Sequence, residues 1–179
     1  MVAIAEARVG FRNRGLARHA RQIADAAADL VRYQFGSLPY IELLLTSDTN
    51  HFAEVAARSE LALVEGVSSR AANKELRMAR SNARGKAGIT VLREVGVLVV
   101  ANLANVPDKA AVNSLLVHEF THGHQLGDPA SRKQHLEFCA HAYGVARLPR
   151  RTVRQIEVLI DSREDQAYAA ERLATQLPA

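Results

Sequence analysis

The chain has 179 residues, 48% hydrophobic, 23% charged and 5% aromatic, with no Trp and a formal net charge of +4. These values suit one globular domain that buries roughly 70% of its unfolded surface, and they exclude disordered, collagen-like and mucin-like classes. The single cysteine, Cys139, excludes an intramolecular disulfide framework and a cysteine-rich zinc site.

The longest apolar stretch, 95–106, contains Asn102 and Asn105 and is too short to span a bilayer. The first fifteen residues, MVAIAEARVGFRNRG, lack a basic cap followed by an apolar run. No secretory signal is read there, so the expected location is the cytoplasm, with no membrane partner. Nineteen of the 23 basic residues are arginine, clustered at 8–21, 70–86 and 147–154. Acids are interleaved (Glu6, Asp25, Asp29, Glu75, Glu157) and no aromatic stacking pattern accompanies them, which favours solvated helix faces over direct nucleic-acid binding.

In chain order, residues 11–35 read as an amphipathic helix, with Ala20, Ile23, Ala27, Leu30 and Val31 at helical spacing and Gly36 as a stop. Residues 40–46 (YIELLLT) read as a buried strand, and the following Ser47, Asp48, Thr49 and Asn50 supply a helix cap. Phe52, Val55 and Ala56 give that next helix its inward stripe. The stretch 64–87 is polar, basic and weakly helical, either a helix with a loop or a mobile cover. Two β-branched runs, 89–92 and 97–101, joined by Arg93, Glu94, Val95 and Gly96, form the clearest hairpin signal. Pro107 opens a helix running to about Leu126. Gly127 and Pro129 break it, and Ser131 can cap another that ends near Ala146. Leu148 and Pro149 break again, and the remainder is helical with a restart at Asp161 or Ser162. No repeat or long linker divides the chain. The expectation is a single α+β domain over 1–179, with a small mixed sheet of about three strands packed against helices.

The chemistry concentrates in LLVHEFTHGHQL. His118 and His122 lie four residues apart on one helix face, so both imidazoles can converge on one ion, and Glu119 sits beside them. A zinc held there would lower the pKa of a bound water towards about 7, and Glu119 could take its proton. Val112, Leu115, Leu116 and Phe120 make the helix amphipathic.

A strand hairpin, an HExxH helix, and then a second helix with a glutamate resemble the minimal gluzincin metallopeptidases. That group includes the catalytic core of thermolysin and small phage-immunity and stress-response peptidases of the ImmA/IrrE kind. The resemblance covers roughly 89–144 and implies a zincin-like fold and a third zinc ligand from a downstream helix, in a pattern near E-x-x-[AS]-[DN]-x-[FY]-[AG]. Glu137, Ala140, Tyr143 and Gly144 follow that pattern, with His141 where the family has Asp or Asn; the family role of that position is to buttress a zinc histidine. Glu164, with Ala167, is a rival third ligand. Asp128 stands where metzincin-like enzymes place a ligand, but Gln125 replaces their turn glycine. His124, His135, Tyr143 and Tyr168 are candidates to stabilise an oxyanion. Cys139 reads as a buried small hydrophobe.

The resulting expectation is a zinc-dependent metallopeptidase acting on a protein or peptide substrate, and the ImmA/IrrE resemblance implies a regulatory protein as one such substrate. His118, His122 and Glu137 hold Zn²⁺, and Glu119 activates a water bound to it. The strand at 97–101 is expected to offer an exposed edge to an extended substrate, giving endopeptidase action. The competing class is a non-catalytic basic helical module that binds nucleic acid or an acidic partner.

Overall fold

The leucine- and valine-rich runs pair as a sheet because each can bury both of its faces. The computed structural model describes residues 1–178. Its four-stranded sheet has the order β1 (Ala3–Glu6), β2 (Ile41–Thr46), β4 (Val97–Asn102), β3 (Gly88–Leu92). The first three in that order are parallel and β3 runs antiparallel at the edge. In register, Ile41 faces Val97, Leu43 faces Val99 and Leu45 faces Ala101; Leu92 faces Val97 from the other side.

The described residues also form six α-helices: α1 (Arg14–Phe35), α2 (Thr49–Leu61), α3 (Ser69–Asn82), α4 (Lys109–Gly127), α5 (Pro129–Ala142) and α6 (Arg150–Ala170). Leu43, Leu45, Val97, Val99 and Ala101 point into a core with α1 and α4. Leu98, Val100 and Val91 point the other way, onto Phe52, Ala53 and Ala56 of α2. That two-sided burial explains why β2 and β4 read as continuous apolar runs instead of alternating ones. On α1 the buried stripe is mostly alanine (Ala17, Ala20, Ala24, Ala27, Ala28), which lets α4 lie close against it. Buried within that contact, His19 Nε2 meets Asn113 Oδ1 at 2.8 Å.

Four expectations change, and one open choice is resolved. The sheet has four strands, the extra one being β1, a short partner of β2 with two exposed residues. The strand at 97–101 is not an edge: β4 lies between β2 and β3, so β3 takes the edge position. Of the two readings of 64–87, the structure takes the helix with a loop: α3 is capped by the Ser68 side chain and packed on α2. Finally, α5 starts under Asp128, whose carboxylate accepts from Ser131 N at 2.8 Å, and α6 continues through Asp161 and Ser162 without a restart.

Between β3 and β4, Gly96 has φ +72°, and a Cβ built there would lie 2.0 Å from the Tyr40 carbonyl oxygen. Only glycine fits that turn. The Arg132 guanidinium of α5 clamps the same turn, donating to the carbonyls of Arg93, Glu94 and Gly96. The hairpin is thereby fixed beside the C-terminal half of α4, forming one wall of a cleft.

Candidate metal centre

The cleft has a volume of about 660 Å³. Its walls are the 85–91 segment, the inner face of α4, and α6, with Glu60 and His135 at one end. Of the 64–87 stretch, Gly85, Lys86 and Ala87 line the cleft and α3 does not.

His118 and His122 project from α4 into the cleft, their side chains 12% and 16% exposed. Their Nε2 atoms lie 3.1 Å apart. Across the cleft, Glu164 of α6 brings Oε2 to 3.5 Å from His118 Nε2 and Oε1 to 3.5 Å from His122 Nε2. A four-coordinate zinc with donors about 2.0–2.2 Å away sets donor–donor separations of roughly 3.3–3.6 Å. The three observed separations sit at or just below that range, so the donor set fits such an ion.

The hydrogen bonds behind the rings orient both imidazoles and fix the tautomer of His122. His118 Nδ1 is 2.9 Å from Glu171 Oε1, which orients the ring. His122 Nδ1 is 2.8 Å from Gln125 Oε1. The amide orientation of Gln125 is set in turn by its Nε2, which donates to the Arg163 carbonyl at 3.0 Å and to Gln166 Oε1 at 2.8 Å. His122 Nδ1 must therefore donate. With Nδ1 donating, a neutral His122 presents its Nε2 lone pair to His118 Nε2 and to the Glu164 carboxylate, an arrangement that a shared proton or a metal cation stabilises. Burial, moreover, holds the His122 pKa below its ordinary value and so favours the neutral ligand form.

Glu119 is 4% exposed and lines the same cleft. Thr90 Oγ1 of β3 lies 2.7 Å from its Oε2 and 2.9 Å from its backbone carbonyl. Burial, with the Glu164 charge adding to it and the Thr90 bond opposing it, raises the Glu119 pKa to about 7. Gly88 makes room for this carboxyl: a Cβ built there would stand 2.4 Å from Glu119 Oε1.

The structure brings His118, Glu119 and His122 together with Glu164, and does not bring Glu137 to them. Glu137 projects from the outer face of α5, 51% exposed and 4.0 Å from Lys133. Cys139 is the one buried residue of that helix, and two positions of helix turn about 200°, so a buried Cys139 directs Glu137 to solvent. His141 does not buttress a zinc histidine; its Nδ1 accepts from Leu148 N at 3.2 Å. Glu171 and Gln125 fill that role, neither of which the sequence singled out for it. The spacing Glu164, Tyr168, Glu171 (i, i+4, i+7) was the available signal, since it puts all three on one face of α6 and the turn after it. Asp128 is a helix cap.

Of the oxyanion candidates, Tyr168 packs edge-on against the His118 ring at 4.8 Å between centroids. His135 lies at the cleft's end, paired with Glu60. His124 bonds the Ser37 carbonyl on the outside of α4, and Tyr143 is buried with Val64 and Cys139, so neither reaches the cleft. Several arginines of the basic clusters are paired with acids: Arg8 with Asp48, Arg21 with Glu6, Arg32 with Asp29 and Arg80 with Glu54. No helix among the described residues is long and apolar enough to cross a membrane.

Comparison with family models, with curated proteins and with solved structures returns no match to this chain.

Proposed function

We propose that this protein is a zinc-dependent metallopeptidase with a zincin-like fold, and that Glu164 completes the metal site begun by His118 and His122. The observation that carries the reading is the convergence of the His118 and His122 Nε2 atoms and the Glu164 carboxylate at separations suited to zinc. Two histidines and one carboxylate leave a coordination position open, the pattern of hydrolytic rather than structural sites. Zinc bound there would supply Lewis acidity and lower the pKa of a water in the open position.

The remaining roles belong to this chain's own side chains. A carboxyl poised near pH 7 can accept a proton and return it, and Glu119 is the group so placed in the cleft. Thr90 serves both states of that carboxyl. When Glu119 is ionised, the Thr90 hydroxyl donates to Oε2; when it is protonated, the hydroxyl accepts from it and donates to the Glu119 carbonyl. Gln125 and Glu171 hold the imidazole rings in orientation. The edge of β3, where Gly88, Ile89 and Thr90 line the cleft, is the surface to which an extended peptide could add as a further strand. The substrate class proposed is accordingly an unfolded segment or flexible loop, cut internally.

Zinc-loaded protein incubated with unfolded casein tests this, beside Glu119→Ala. The parent is expected to produce internal fragments, and Glu119→Ala to keep its zinc and lose cleavage. A zinc-loaded parent that leaves casein intact, or Glu119→Ala with undiminished cleavage, would overturn the reading.

A further inference from the structure

A second group of metal-ligating side chains opens on the same cleft, separate from the α4 histidines. His135 and Cys139 are i and i+4 on α5 and so share one face, the geometry that pairs His118 with His122 on α4. Glu60, from the last turn of α2, reaches that face: its Oε1 lies 2.7 Å from His135 Nε2, a direct hydrogen bond that an ion entering between them would part to the roughly 3.3–3.6 Å of a zinc donor pair. Donor atoms of Glu60, His135 and Cys139 all lie within 4.8 Å of one another. Cys139 forms the buried floor, while Glu60 and His135 are each 22% exposed and border the cleft.

The electrostatics favour a cation at this place. Glu75 of α3 adds a second carboxylate, its pKa raised by burial and then by the Glu60 charge. Burial pushes the Cys139 thiol up to about 12, and Glu60 and Glu75 push the same way. Lys74 offsets part of the Glu75 charge, and a divalent ion bound to the set would displace the thiol proton. The packing is also thin. Cys139 is the only buried residue of α5, and the contact to the chain beyond α2 is a small cluster around Val64, Cys139 and Tyr143.

We propose that Glu60, His135 and Cys139 form a second site for a divalent cation of zinc's class, cross-linking α2 to α5 at the end of the cleft. A sulfur, nitrogen and oxygen donor set selects zinc over magnesium or calcium. The site does not depend on the catalytic reading, because it uses none of His118, His122 or Glu164.

Cobalt(II) substitution tests it without altering α5. Cys139 is the only cysteine in the chain, so any thiolate-to-cobalt charge-transfer absorption must come from this site. The band is expected in the parent and in His122→Ala, and absent in Cys139→Ser. Zinc content should fall by about one ion in His135→Ala relative to the parent. A parent that binds cobalt with no thiolate band, or one whose zinc content equals that of a folded Cys139→Ser, overturns the proposal. Should Cys139→Ser fail to fold, the spectra of the parent and His122→Ala decide.

Discussion

Gln125 offers a way to separate ring orientation from overall stability. It is 8% exposed, and its amide makes three bonds: it accepts from His122 Nδ1 and donates to the Arg163 carbonyl and to Gln166 Oε1. Gln125→Ala removes all three and leaves the His122 N–H unpaired. Outer partners of this kind are worth about 10–100-fold in metal affinity, or roughly 1.4–2.8 kcal/mol. Gln125→Glu keeps an acceptor for His122 but replaces the donating amide with a carboxylate facing the Arg163 carbonyl. Two lost bonds at about 1 kcal/mol each give a destabilisation near 2 kcal/mol, about 4–8 °C in Tm for a domain this size. The two variants should therefore diverge: Gln125→Ala loses both zinc affinity and stability, whereas Gln125→Glu loses stability and holds its affinity. Competition with a chromophoric chelator reads the first quantity and thermal unfolding of the metal-free protein the second. Equal zinc affinity in the parent and Gln125→Ala would refute the tautomer argument on which the site rests.

Other outcomes follow from single contacts. Gly96→Ala forces a Cβ to 2.0 Å from the Tyr40 carbonyl at φ +72° and should cost about 2–4 kcal/mol in urea unfolding; a loss under about 0.5 kcal/mol would mean the turn is not held as described. Gly88→Ala pushes on the Glu119 carboxyl and on Leu115 Cδ1 at 2.6 Å, so kcat/KM on casein should fall by about tenfold or more with zinc retained. Asp48 caps α2 by accepting from Asn50 N and His51 N, and Asp48→Ala should cost about 1 kcal/mol at pH 7. The bond from the His51 amide, then that from Arg8, holds its pKa below 3.8. A depressed folded pKa gives stability that is full above the unfolded value and lost as pH falls through the folded one. The difference between parent and Asp48→Ala should thus shrink below about pH 4; a difference that grew on acidification would contradict the cap.

What could be read in advance depended on how local the cause was. Helix α1, strand β2, the hairpin and α4 each carry their own period or turn residues, and their positions followed from sequence. Strand β1 did not, because AIAE is four residues long and is a strand only by virtue of pairing with β2, nearly forty residues away. In the site, the HExxH spacing placed His118, Glu119 and His122 without help, since i to i+4 geometry is local. The third carboxylate was not local: a short E-x-x-A pattern occurs at both Glu137 and Glu164, and the choice depends on which helix crosses the cleft. Cys139 held the decisive hint, because a buried thiol there turns Glu137 outward.

The most direct measurement is the zinc content of purified Glu164→Ala and Glu137→Ala beside the parent. The account predicts that Glu164→Ala loses about one zinc ion per chain and Glu137→Ala loses none. Zinc lost from Glu137→Ala and retained in Glu164→Ala would contradict the site described here.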